Sequence, residues 1–149
     1  MTKSRQHILT GLILLTLCFI WGNSLMPGTV SGAFSDWVGA LLSRLLGDVV
    51  RPEAGHGVLR KVAHGTEYLV LGMELWLLFR GMLWKSWSLP VLCGVAVALT
   101  DETIQLFVEG RSGAIRDVWI DLGGFCVGCL VCAGILALRR QKKQGKSAG

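Results

Sequence analysis

Four stretches of this chain stay apolar long enough to cross a bilayer, which takes about 20 residues of helix. They cover residues 8–25, 62–79, 89–107 and 118–138. The first and last are the most apolar. The middle two contain acids, so hydropathy alone scores them lower. Pro27 and Gly28 stop the first run. Lys3 and Arg5 ahead of it imitate a signal peptide, but Trp21-Gly22-Asn23-Ser24-Leu25-Met26-Pro27 lacks a small-x-small cleavage pattern. The segment is therefore expected to be a retained helix.

A different period runs between the first two spans. Phe34, Trp37, Val38, Leu41, Leu42, Leu45, Leu46 and Val49 recur at i, i+3, i+4 and i+7, which makes one helical face over residues 34–50. Asp36, Ser43, Arg44 and Asp48 fall on the other face. Such a helix is expected to lie on the membrane and not to cross it. It either packs over the ends of the spans or sits in the interface and gates lipid access. In the fourth span Gly124 and Gly128 form a GxxxG spacing, which predicts close helix packing within the chain.

The pattern predicts a single all-α membrane domain, a four-transmembrane-helix bundle with an amphipathic interfacial helix in the first external loop. Lysine and arginine set the orientation. Lys3, Arg5, Arg80, Lys85, Arg139, Arg140, Lys142, Lys143 and Lys146 lie on one side of the spans. Arg44, Arg51, Arg60, Lys61, Arg111 and Arg116 lie on the other. The first set is larger and sits in short segments, so both termini and the basic tail 139–149 are expected in the cytoplasm. Trp84 and Trp87 then fit the inner aromatic belt and Trp119 the outer one.

Composition agrees with this reading. Of 149 residues 52% are hydrophobic and 17% charged, and mean hydropathy is +0.54; a soluble domain carries about 25% charged residues. The net charge of +5 is concentrated in the tail after an apolar run, so no nucleic-acid partner is expected. Cys18, Cys93, Cys126, Cys129 and Cys132 all lie in apolar runs, where cysteine acts as a small hydrophobe. The three-residue repeat of the last three lacks the second pair or the histidines that a zinc site needs.

Ionisable residues inside spans are costly, about 2.5–3.5 kcal/mol each on insertion scales, and mark functional sites by default. The predicted topology gathers most of them at the outer ends. Lys61, His64, Glu67 and Tyr68 open the second span, with His64 and Tyr68 four apart on one face. Asp101, Glu102 and Gln105 close the third. Arg111 and Arg116 follow in the loop, and Asp117 and Asp121, again four apart, start the fourth. Asn23 and Ser24 end the first span at the same level, and Glu74 alone falls toward the inner half. These groups must pair, neutralise, bind an ion or meet water. Asp101, Glu102, Asp117 and Asp121 are candidate ligands for a divalent cation (Mg²⁺, Mn²⁺ or Ca²⁺), since such ions take oxygen donors. With Arg111, an ion of this kind can hold a phosphate head group. Glu102 and His64 are candidates for a general base. No nucleophile elbow or phosphate-binding glycine loop is present.

The order and spacing of Asn23-Ser24-Leu25-Met26-Pro27-Gly28, Lys61-Val62-Ala63-His64 with Glu67-Tyr68, Asp101-Glu102-Thr103-Ile104-Gln105 with Gly110-Arg111, and Asp117-Val118 with Asp121-Leu122-Gly123-Gly124 resembles the VanZ-like family. These are small bacterial membrane proteins named for a teicoplanin-resistance protein. The resemblance implies a multi-pass protein of the bacterial cytoplasmic (inner) membrane, with a role in glycopeptide (teicoplanin) resistance or another cell-envelope function. Lys61, His64, Tyr68, Asp101, Glu102, Gln105, Arg111 and Asp117 carry over as family-motif positions. Asp121 stands where many relatives carry asparagine, and Glu67 enters from the pocket argument alone.

Three function classes follow. The first is a binding protein whose outward polar pocket holds a membrane lipid or a lipid-linked envelope precursor. The second is a divalent-ion-dependent membrane enzyme acting on an outer-leaflet phospholipid or glycolipid. The third is a structural ion-pair bundle or an assembly partner.

Overall fold

A computed structural model of the chain describes residues 2–46, 56–80 and 88–147. Among the described residues there are five helices and no strands: α1 (Lys3–Ser24), α2 (Gly28–Leu46), α3 (His56–Phe79), α4 (Ser88–Leu106) and α5 (Ile115–Ser147). Three of them, α1, α4 and α5, are long and apolar enough to cross a membrane. In the apolar windows of these three helices only 22%, 33% and 28% of residues are buried, so most of their surface faces outward. Leu15, Phe19, Leu92, Leu99 and Leu130 are among the exposed large side chains. Apolar surface in that amount suits hydrocarbon surroundings, not water. α3 carries Arg60, Lys61, Glu67 and Glu74 and is not among these three helices.

The helices are longer than the apolar runs within them. α1 starts at Lys3 and α3 at His56, and α5 continues through the basic segment to Ser147. Polar ends keep their backbone hydrogen bonds without adding to hydropathy, and Arg, Lys and Gln are good helix formers. At 33 residues α5 is about 50 Å long, more than a bilayer's hydrocarbon core of about 30 Å. Its basic end therefore projects beyond the apolar part. Trp84, Trp87, Lys85, Arg51, Asp48 and Val49 lie outside the described residues.

α2 also begins earlier than its apolar stripe, at Gly28. The Pro27 carbonyl accepts the Ser31 N–H at 3.0 Å and so starts the helix. Ser31 and Ser35 face inward and are buried, and the Ser35 hydroxyl donates to the Ser31 carbonyl at 2.9 Å. Phe34, Trp37 and Leu41 are exposed, with the Phe34 and Trp37 rings stacked at a centroid distance of 6.1 Å. Ser31 and Ser35 of α2 therefore meet the bundle, while Phe34, Trp37 and Leu41 face away from it.

The core is built mainly where α3 meets α5. Gly72 lies against the Phe125 carbonyl, Gly124 against that of Gly65, and Gly128 against that of Leu69. Both members of the GxxxG pair are thus used inside the chain. Tyr68, Leu71 and Phe125 are fully buried there, and the Cys129 thiol donates to the Gly72 carbonyl at 3.4 Å. α4 turns a stripe of Pro90, Gly94, Ala98, Asp101 and Gln105 inward, with Gly94 under the Phe125 ring. α1 adds Leu9, Ile13 and Ile20, and its Thr16 hydroxyl donates to Glu74 at 3.2 Å. Glu74, isolated in the sequence, thus has a polar partner.

Candidate functional site

The C-terminal ends of α1 and α4 meet the N-terminal halves of α3 and α5. The α4–α5 loop is pinned to the α1–α2 turn. The Gly28 N–H donates to the Glu109 carbonyl at 3.0 Å. Gly28 touches the backbone of Gly110, where any Cβ would collide, and Gly110 has φ of +71°, a left-handed conformation that favours glycine. Arg111 then reaches across. Its Nε donates to the Met26 carbonyl at 3.0 Å and its Nη2 to the Asn23 carbonyl at 2.6 Å. Asn23 lies in the last turn of α1, where its carbonyl also accepts the Met26 N–H at 3.3 Å, and Met26 lies in the turn that follows. Burial, and secondarily Arg60, lowers the Arg111 pKa, which Asp101 and Glu102 oppose; the guanidinium remains a cation.

Inside this frame the polar residues form three bonded groups, with His64 between two of them. The Asn23 amide donates to Glu67 Oε1 at 3.1 Å. The Gln105 amide donates to Ser24 Oγ at 3.2 Å and to Asp101 Oδ2 at 3.1 Å, and lies 3.4 Å from Glu102 Oε1. Glu102 Oε2 accepts the Ala114 N–H at 2.6 Å. Lys61 pairs with Asp117 at 2.9 Å. His64 Nδ1 stands 3.6 Å from Asp101 Oδ2 and 3.9 Å from Glu67 Oε2, close for electrostatics and too far for a hydrogen bond.

Burial is deep: Tyr68 and Asp101 are 0% exposed, Asp121 2%, Gln105 3% and His64 6%. Yet both His64 ring nitrogens, Tyr68 Oη, Asp101 Oδ1 and Asp121 Oδ2 have no hydrogen-bond partner among the described residues. Leaving such a group unmade costs about 1–3 kcal/mol. His64 and Asp121 line a small recess with Glu102 and Gln105, and Arg60, Lys61, Asp117 and Ile120 complete its wall.

Of the ten residues singled out from the sequence, eight join through the contacts above or share the recess wall with them. Arg111 braces the frame through backbone carbonyls, and Tyr68 is buried with its hydroxyl unpaired. Among the four acids considered as ion ligands, Glu102 and Asp117 are engaged by Ala114 and Lys61. A donor atom from each of His64, Asp101 and Asp121 lies within 4.8 Å of the others. Sequence reasoning set Arg60 among the cations that the acids meet at the outer ends but not among the site residues, and it lies in the recess wall. It also missed the Ala114 N–H, a backbone donor that carries no sequence signal.

The Lys61–Asp117 pair is partly exposed, at 28% and 19% of the two side chains. A double-mutant cycle with Lys61→Met and Asp117→Asn, read by unfolding of the purified protein, is expected to give a coupling of about 1 kcal/mol or less. Coupling well above that would mean the pair is held in a far less solvated setting.

Fold and site together define an all-helical membrane protein with a polar cluster buried between its helices. Residues 8–137 match the model of the VanZ/LLP1 family, and the chain belongs to that family. Neither the curated proteins nor the solved structures yield a match.

Proposed function

We propose that α1, α3, α4 and α5 all cross the bacterial cytoplasmic membrane, with both termini inside. On this reading the recess opens outward and holds the phosphate-bearing head group of an envelope lipid. The observation that carries this is the recess itself: Arg60 and Lys61 share its wall with His64, Asp121, Glu102 and Gln105, and two of these, His64 and Asp121, keep unpaired polar atoms. The Arg60 guanidinium and the unpaired His64 imidazole suit a phosphate, which takes charge-assisted bonds, and Lys61 can turn to it from Asp117.

Further features support the arrangement. α3 runs parallel to α5 along the Gly65–Gly124 and Leu69–Gly128 contacts, so a span by α5 carries α3 to the same depth. The lysine and arginine distribution favours cytoplasmic termini. The outward Phe34, Trp37 and Leu41 of α2 suit a helix lying in the interface. Holding such a lipid is a cell-envelope role, and glycopeptide tolerance is the phenotype to score with it.

The test is mass spectrometry of lipids that co-purify with the full chain. A phosphate-headed lipid is expected to be enriched with wild type and depleted with the Arg60→Met, Lys61→Met double variant at equal abundance. Identical lipids in both would contradict the reading. An envelope lipid composition that changes with wild type but not with Glu102→Gln would replace holding with turnover.

A further inference from the structure

We propose that His64, Asp101 and Asp121 bind one divalent transition-metal ion of the zinc or manganese class. The three residues come from α3, α4 and α5, and one donor atom of each lies within 4.8 Å of the other two. All three are more than nine-tenths buried. Each of the three keeps at least one buried polar atom without a hydrogen-bond partner among the described residues: both imidazole nitrogens, Asp101 Oδ1 and Asp121 Oδ2.

Two neighbouring acids sharpen the assignment by being occupied. Glu102 holds the Ala114 N–H and Asp117 holds Lys61, whereas Glu67 accepts from Asn23 through Oε1 and keeps Oε2 unpaired 3.9 Å from His64 Nδ1, beside the three ligands. Arg111 spends two of its nitrogens on backbone carbonyls of α1 and the following turn. Among the described residues no lysine or arginine is bonded to the buried Asp101 or Asp121 carboxylate, and Asp101 Oδ2 accepts the neutral Gln105 amide and faces His64. Buried charges are ordinarily paired or coordinated. A divalent ion balances two carboxylates, and neutral imidazole adds a third ligand without adding charge.

The donor set also selects the ion. Calcium and magnesium take oxygen ligands, whereas an imidazole nitrogen beside carboxylates suits zinc, manganese or iron. Ligands to zinc sit about 2.0–2.2 Å from the ion, so binding draws the three side chains inward. Three protein ligands leave coordination positions open. Two of the three ligand residues, His64 and Asp121, also form part of the recess wall. The site goes beyond the head-group reading and does not depend on it, because the ion alone is the probe.

The experiment uses the full chain in detergent, stripped by a chelator and titrated calorimetrically with Zn²⁺ or Mn²⁺. The chain has three histidines, so a background with His7→Gln and His56→Gln leaves His64 as its one imidazole. One ion per chain is expected. Mn²⁺-loaded protein in that background is expected to show nitrogen coupling in its electron spin echo. Asp121→Asn, close to isosteric, is expected to weaken binding by about 10-fold or more; Glu74→Gln, outside the site, is expected to leave it unchanged. No binding of either ion by wild type overturns the proposal. So does Mn²⁺ binding without nitrogen coupling, which needs no site variant to fold. Equal affinity in folded Asp121→Asn also overturns it.

Discussion

Gly128→Val is expected to lower the unfolding temperature sharply and to reduce the folded yield. A Cβ at residue 128 would run into the Leu69 carbonyl, and that obstacle is backbone, not a side chain that can rotate away. α3 and α5 would have to separate along the contact that builds the core, with Tyr68, Leu71 and Phe125 losing their close fit. Overpacking of a well-fitted interior costs about 1–3 kcal/mol, and a backbone collision belongs at the upper end. Gly123→Ala is the matched control. Nothing lies within 4 Å of a Cβ there, so the helix should gain rather than lose stability, because alanine is the better helix former by about 1 kcal/mol. Thermal unfolding of both variants in detergent checks the pair. Equal stability for the two would mean that α3 and α5 are not packed backbone to backbone.

Arg111→Met is expected to release the end of α1 from the α4–α5 loop. The guanidinium donates to the Met26 and Asn23 carbonyls, and each hydrogen bond from a charged donor is worth about 1.5–3 kcal/mol. The loss should therefore reach about 3 kcal/mol. Arg111→Lys should recover only part of it, because an ammonium does not reproduce the planar fork that meets both carbonyls. Amide hydrogen exchange is the informative readout: protection should fall at the end of α1 and at Gly28, whose N–H is bonded to Glu109. Unchanged protection there would contradict the brace. Asn23 also donates to Glu67, so a loosened α1 end is expected to disturb the polar cluster.

Much of this architecture was legible in the residues, and the misses have physical causes. Apolar length marks where helices lie but not where they end, since Lys3 and the segment 139–147 are helical and polar. The period over residues 34–50 identifies an amphipathic helix. It does not say which side packs inward, and here buried Ser31 and Ser35 lie outside the apolar stripe. α3 shows the limit of hydropathy: its charges keep it from qualifying as an apolar span, while its glycines and Leu69 fit it closely against α5.

The site is legible to a similar depth. Spacing of four placed Asp101 with Gln105, and the amide of one donates to the carboxylate of the other. Convergence of Asn23, Ser24, Glu67, Asp101 and Gln105 follows from polar ends at matching levels. Partners across helices do not follow. Glu102 is satisfied by a backbone N–H, and the approach of Gly28 to Gly110 depends on how two turns meet. Such contacts are set by packing, and no local pattern encodes them.

The most direct test of the head-group reading is a titration of the full chain in nanodiscs with an isoprenyl phosphate. A zwitterionic phospholipid serves as the reference, and wild type is compared with the Arg60→Met, Lys61→Met double variant. Saturable binding of the phosphate-headed lipid by wild type, clear weakening in the folded variant and little response to the zwitterionic lipid are expected. Equal affinity of wild type and variant for the phosphate-headed lipid would contradict that reading.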